Sequence, residues 1–376
     1  MRKVAGVLFL GVALALAPVM AFGQANESTV TQTGDLNSAT VSQTGEQNKA
    51  FITEVGDENT ATQTQSGTGL TNTETISQFG NGNIAEQKQI NGKDNDAKIF
   101  QGIDPISSNL NNALQTQDGG EKNTAKITQY GDANRAEQKQ VNGLMNSVEI
   151  LQDSRSMADG QNDAYQEQDE TYPGATLNSA YIEQVGGLNE AKQYQDGISN
   201  DARIFQTGDN NFALQDQYGE QNQGTITQTG NFNSAQQHQA GMNNVDTITQ
   251  DGWLNIAQQE QFGGPNVGTI TQTGGLNEAY QLRQNGIDNH ATITQNGTSN
   301  RAYQNQDGAI TAEAVITQDG TFNVAYQTQF EALGTQAFAT QSGSGNESHQ
   351  YQSGISHVSI VSQTGANNYA NVVQGN

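Results

Sequence analysis

The sequence predicts an all-β chain: a β-solenoid of about fifteen 22-residue strand-turn-strand repeats whose two parallel sheets face each other. Three observations predict it. The stretch from Asn244 to Pro265 and the stretch from Asn266 to Asp288 are one pattern written twice. Within each, recurring residues alternate with variable ones, the period of a strand, on either side of a Gly-containing break that reads as a turn. The same alternation turns Gln inward at fixed places, and only a stack of identical strands satisfies buried amides in that way.

Composition sets the frame. Of 376 residues, 33% are hydrophobic, 42 are Gly and 4 are Pro, too few apolar residues for a large core. Low hydrophobicity with a formal charge of -24 ordinarily marks disorder. The fixed repeat overrides that default, because stacked repeats bury together a narrow core that none buries alone. The acidic balance, without a basic patch, argues against a nucleic-acid partner and should keep copies apart less strongly as pH falls. There is no Cys, so no disulfide framework supports the chain.

Residues 1–23 read as a secretory signal peptide. Arg2 and Lys3 precede an apolar run from Val4 to Leu16, with small residues near Ala21 and Gly23. The run is too short to span a bilayer as a helix, and no later segment is apolar enough to do so. Cleavage near Gly23 leaves Gln24 first and residues 24–376 as the repeat region.

Counting Asn244 as position 1, fifteen units begin between Asn26 and His357, spaced by 22 to 24 residues except for two long ones that open at Asn95 and Asn146. Positions 1, 3, 5 and 7 face one way, and positions 12, 14, 16 and 18 face back at them. Position 5 is a large apolar column that includes Ile182, Ile204, Ile226, Ile248 and Ile270; position 14 is small, as at Ala257, with Ser348 its one departure from Ala. Position 7 is Gln, as at Gln184, Gln206, Gln228, Gln250 and Gln272, except for Glu54. Position 12 carries Asn255, position 16 Gln259 and position 18 Gln261. Stacked at about 4.8 Å, identical amides pair along the axis as ladders, and fifteen turns make a rod of about 70 Å. Position 16 is Val41 in the first unit and Val372 in the last, as suits a rung with one neighbour. Gly252 at position 9 supplies a backbone shape that other residues resist. The two end units are expected to be open strand pairs that join copies head to tail, with Val30, Gln32 and Val41 meeting Val361, Gln363, Val372 and Gln374.

The motif Gln-x-Gly-x-x-Asn-x-Ala-x-x-x-Gln runs from Gln206 to Gln217, Gln228 to Gln239, Gln250 to Gln261 and Gln318 to Gln329, and from Gln341 to Gln352 with Ser348 for Ala. It resembles the curlin repeat of bacterial curli subunits, over nearly all of the chain from Asn26 onward. The resemblance implies a non-enzymatic extracellular amyloid subunit, passed through a dedicated outer-membrane pore with accessory chaperones and started by a nucleator subunit. It implies a homopolymer in adhesive fibres of the biofilm matrix at the cell surface. This chain has far more repeats than familiar curlins, Asn where theirs often open with Ser, and its first unit directly after the expected cleavage point, where they carry a targeting segment.

Other features are weaker. Thr225, Thr227, Thr247, Thr249, Thr269, Thr271, Thr292 and Thr294 form two outward columns like the ice-binding face of solenoid antifreeze proteins, giving the alternative of a soluble monomeric solenoid with an ice-binding or adhesive face; strand propensity explains them equally. Tyr280, Tyr303 and Tyr326 are expected to stack outward. Insertions near 102–110, 153–160 and 169–177 are expected to bulge from the rod. Acidic turns such as Gly34-Asp35 and Gly208-Asp209 read as turn chemistry rather than calcium sites. His238, His290, His349 and His357 lack metal-ligand spacing, no nucleophile elbow or phosphate loop appears, and no cofactor is expected.

Overall fold

The computed structural model describes residues 25–67, 71–102, 108–155, 161–169 and 177–375. Residues 1–23 and most of the three insertions lie outside them. The described residues form thirty strands, from β1 (Glu27–Thr33) to β30 (Tyr369–Gln374), with no helix. Odd-numbered strands make one fifteen-stranded sheet and even-numbered strands the other, each in chain order. Every pairing is parallel, and most are in register column by column: Ile226 lies beside Ile248, and Ile248 beside Ile270. The solenoid, its two facing sheets and the inward set of positions are as the alternation predicts.

The core is a strip. Ile and Ala of positions 5 and 14 form one continuous cluster from Ile52 to Ala339, with Ile182, Ile204, Ile226, Ile248 and Ile270 fully buried. A large column against a small one fills the gap between two flat sheets. Each buried Ile contributes about 1.5–3 kcal/mol, and no coil buries enough alone to fold.

The corners contain more than Gly. Gly252 has φ 130°, and a Cβ there would lie 1.8 Å from the Gly274 carbonyl oxygen of the next coil. The residue before most corner Asn residues is also left-handed without being Gly, as at Leu254 (φ 53°), Leu276 (φ 56°) and Asn243 (φ 58°). Such a backbone costs about 1 kcal/mol or more. Bonds between coils hold it, for example Leu254 N–H donating to Asn231 O at 3.1 Å.

Three successive coils carry an extra residue. In β22 (Glu278–Ile287) it falls at residue 283, so that Gln284 rather than its neighbour pairs with Gln261. In β24 (Arg301–Ile310) and β26 (Val324–Leu333) it falls at Gly308 and Glu331, beyond the inward Gln residues. Counting a fixed interval along the sequence misses the slot that Gln284 takes.

Candidate functional site

The arrangement with chemical consequence is the set of amide ladders and the two edges where they stop. At position 7, from Gln78 to Gln363, the side-chain amide of each Gln donates to the carbonyl oxygen of the Gln in the next coil, among them Gln184 to Gln206 at 2.9 Å, Gln206 to Gln228 at 2.9 Å, Gln228 to Gln250 at 2.8 Å and Gln250 to Gln272 at 2.9 Å. The second N–H crosses to the facing strand, as from Gln250 to Ser234 O at 3.0 Å. Each of these amides is fully buried. Alone such a group costs several kcal/mol; in the ladder its carbonyl and both N–H groups are satisfied.

Positions 16 and 18 repeat the arrangement. Gln237 donates to Gln259 at 2.9 Å and Gln259 to Gln281 at 2.8 Å; Gln239 donates to Gln261 at 3.4 Å and Gln261 to Gln284 at 2.6 Å. Asn255 bridges three coils. Its Oδ1 accepts from Asn277 N–H at 3.1 Å, its own N–H donates to Asn233 Oδ1 at 3.1 Å, and its Nδ2 donates to Gly274 O at 3.0 Å. The Asn at position 1 serves the opposite corner in the same way, as Asn244 does with Asn222 and Gly263.

All three Gln ladders share one polarity, with N–H pointing toward the C-terminal end. β29 (Val358–Ala366) and β30 therefore present amide donors, from Gln363 and Gln374, while β1 and β2 (Ser38–Gln43) present the carbonyl sides of Gln32 and Gln43. Among the described residues β1 and β2 pair on one side only, with β3 (Lys49–Val55) and β4 (Thr60–Ser66), and β29 and β30 likewise only with β27 (Gln336–Ser344) and β28 (Glu347–Ile355). Val30, an inward-facing residue, is 46% exposed at the first edge. Position 16 records what a Val neighbour does. Gln63 Oε1, stacked on Val41, is buried without a donor. Gln350, stacked on Val372, turns its amide to Ser359 Oγ at 2.7 Å.

Sequence reasoning missed the interior acids. Position 3 is a small-residue column, yet Glu74 and Asp246 occupy it, fully buried, with both oxygens of each lacking a hydrogen-bond partner. Burial raises both carboxyls well above the usual range, which the Gln89 main chain near Glu74 offsets only in part. Gly224 and Gly268 flank Asp246 in its column. The alternation does put position 3 inside; the acids were legible from it.

On the outer faces, Tyr280, Tyr303 and Tyr326 stack with centroids 4.9 Å apart, and His349 extends the stack at 4.8 Å. The eight Thr residues lie side by side on β17 (Gln223–Asn231), β19 (Val245–Trp253), β21 (Val267–Gly275) and β23 (His290–Thr298). Among the described residues no group of three or more His, Asp or Glu is placed to hold a metal ion.

The curlin associated repeat matches residues 23–54, 34–67 and 266–297. The chain thus carries curlin repeats at these places. The matched segments fall at the first coils and across β21 to β23, and the same inward columns connect them through the coils between. No curated protein matches this chain.

Proposed function

We propose that this chain is a curli-type structural subunit, exported and stacked head to tail on copies of itself into extracellular adhesive fibres of a biofilm matrix. Ladder polarity carries the reading: one edge offers amide donors, the other the matching carbonyls. Extending the coil-to-coil register across a joint sets Gln363 on Gln32, Gln374 on Gln43 and Val361 on Val30. It also sets Val372 on Val41, so the two residues that break position 16 meet each other. Open parallel edges template further strands. Export through an outer-membrane curli-type pore with accessory chaperones, and initiation by a nucleator subunit, go with this reading through the curlin repeat. So does the absence of any enzymatic role.

The test is an assembly time course from denaturant, followed by amyloid-dye fluorescence with and without seeds and by imaging. A lag abolished by seeds and unbranched fibres are expected. A chain that folds promptly and stays monomeric refutes the reading. A chain truncated before His357 that elongates as fast as the full one refutes the joint.

The in-register Thr ranks favour a second reading, a monomeric solenoid with an ice-binding or adhesive face. Thermal hysteresis from a monodisperse monomer would support it.

A further inference from the structure

The position 7 ladder has one missing rung. Gln32 donates to Glu54 Oε2 at 2.6 Å, and Gln78 donates onward to Gln101 at 2.8 Å. Between them, Glu54 and Gln78 are register partners on β3 and β5 (Thr73–Phe79). Glu54 Oε1 and Gln78 Oε1 are both buried, and neither has a partner. At every other step from Gln78 to Gln363 the lower residue brings an N–H to this place. A carboxylate brings none, and it sets two acceptors against each other in a site closed to water.

We propose that Glu54 is a proton-operated rung: one proton on Oε1 makes it donate to Gln78 Oε1, completing the ladder and locking the first three coils. In this form Glu54 has the shape and bonding of the Gln found elsewhere in the column, apart from the second N–H. No base competes for the proton. The inward side chains of the strands packed against it are Ser28, Val30 and Gln32 on β1, Glu74, Ile76 and Gln78 on β5, and Ala, Val and Gln on β2 and β4. Glu74 is thus the one other titratable group facing the same interior, and it also gains from being neutral. Asp35, Asp57 and Glu58 are the charged groups of the adjoining turns. Lys49 pairs with Glu27 on the outer face at 3.8 Å.

Burial holds the Glu54 carboxyl above its ordinary value of 4.5, and the bond from Gln32 opposes this only in part. The sign follows. Because the folded value is raised, the contribution is complete below pH 4.5 and is lost as pH rises through the folded value. The N-terminal coils, which include one of the two open edges, tighten in acid and loosen toward alkaline pH. The inference concerns the folded coil and holds for a monomer or a fibre alike.

The experiment is hydrogen exchange of the full folded chain, with mass spectrometry of peptides covering β1, β3 and β5, at about pH 4 and about pH 8. Three chains are compared at each pH: wild type, Glu54→Gln and Glu46→Gln. The last removes the same charge from an exposed turn. At the higher pH, Glu54→Gln is expected to be protected about tenfold more than wild type in these peptides, the effect of one restored buried bond. At the lower pH the two should agree, and Glu46→Gln should follow wild type at both. Equal protection of wild type and Glu54→Gln at the higher pH overturns the proposal. So does an equal gain from Glu46→Gln, which makes the effect one of net charge. Infrared difference spectra give a second readout: a protonated-carboxyl band persisting above the ordinary carboxylate range and missing from Glu54→Gln. Its absence from wild type also overturns the proposal.

Discussion

Replacing Gln250 by Met tests whether the ladders stabilise the fold or merely fit inside it. Met has nearly the length and volume of Gln, so the strip stays filled. What changes is bonding. The 2.8 Å bond from Gln228, the 2.9 Å bond to Gln272 and the 3.0 Å bond to Ser234 O all disappear. Gln228 is left with a buried N–H and Gln272 with a buried carbonyl, each costing about 1–3 kcal/mol. Relief of the desolvation of Gln250 itself offsets part of this. The net expectation is about 3 kcal/mol, or roughly a hundredfold in the opening equilibrium. Contacts in a solenoid run between neighbouring coils, so the loss should be local. Hydrogen exchange should show it in peptides from β17, β19 and β21 and not in those from β5. Gln236→Met, on the exposed outer face, is the control and should change little. If the control loses as much, or Gln250→Met loses nothing, the ladder is not a source of stability.

Three further outcomes are expected. Gly252→Ala forces a methyl to within 1.8 Å of the Gly274 oxygen at a left-handed backbone, and should cost more than about 2 kcal/mol and break the array at that corner, read as a sharp loss of protection in β19 and β21. Ile248→Ala empties a fully buried slot between the sheets and should cost about 3 kcal/mol in denaturation or fibre-dissociation midpoints. Asp246→Ala removes a buried carboxyl whose folded value is raised, so its advantage over wild type should grow as pH rises above 3.8 and be smallest below it; a stability difference independent of pH refutes that assignment.

Most of the fold was legible because each coil restates the same physical problem. The Ile248 and Ala257 columns alternate at a strand period, and the Gln250 and Gln259 amides have a partner only in a copy of themselves. Periodicity therefore yields strand direction, inward face and neighbour at once. It fails where a local event replaces counting. The slot of Gln284 depends on where a strand bulges, which backbone geometry settles. The left-handed Leu254 and Leu276 carry no residue signature, since coil-to-coil bonds hold them where intrinsic preference does not. His349 continues the tyrosine stack because rings of similar size share a column, a likeness that a search for identical letters passes over. Glu74 and Asp246 were in plain view at position 3, masked by the smallness of the column around them.

The extra residues at 283, Gly308 and Glu331 bear on how such a chain changes over time. In most proteins a one-residue insertion inside a strand turns every later side chain to the wrong face. Here the register shifts by one residue within the strand, and the next inward Gln resumes its column. The array behaves as a reading frame that resets itself once per coil. Copying slips that lengthen a unit, or duplicate one, leave the message intact on both sides. Those three places are accordingly where foreign residues should be grafted onto the rod with the least disturbance to its stacking.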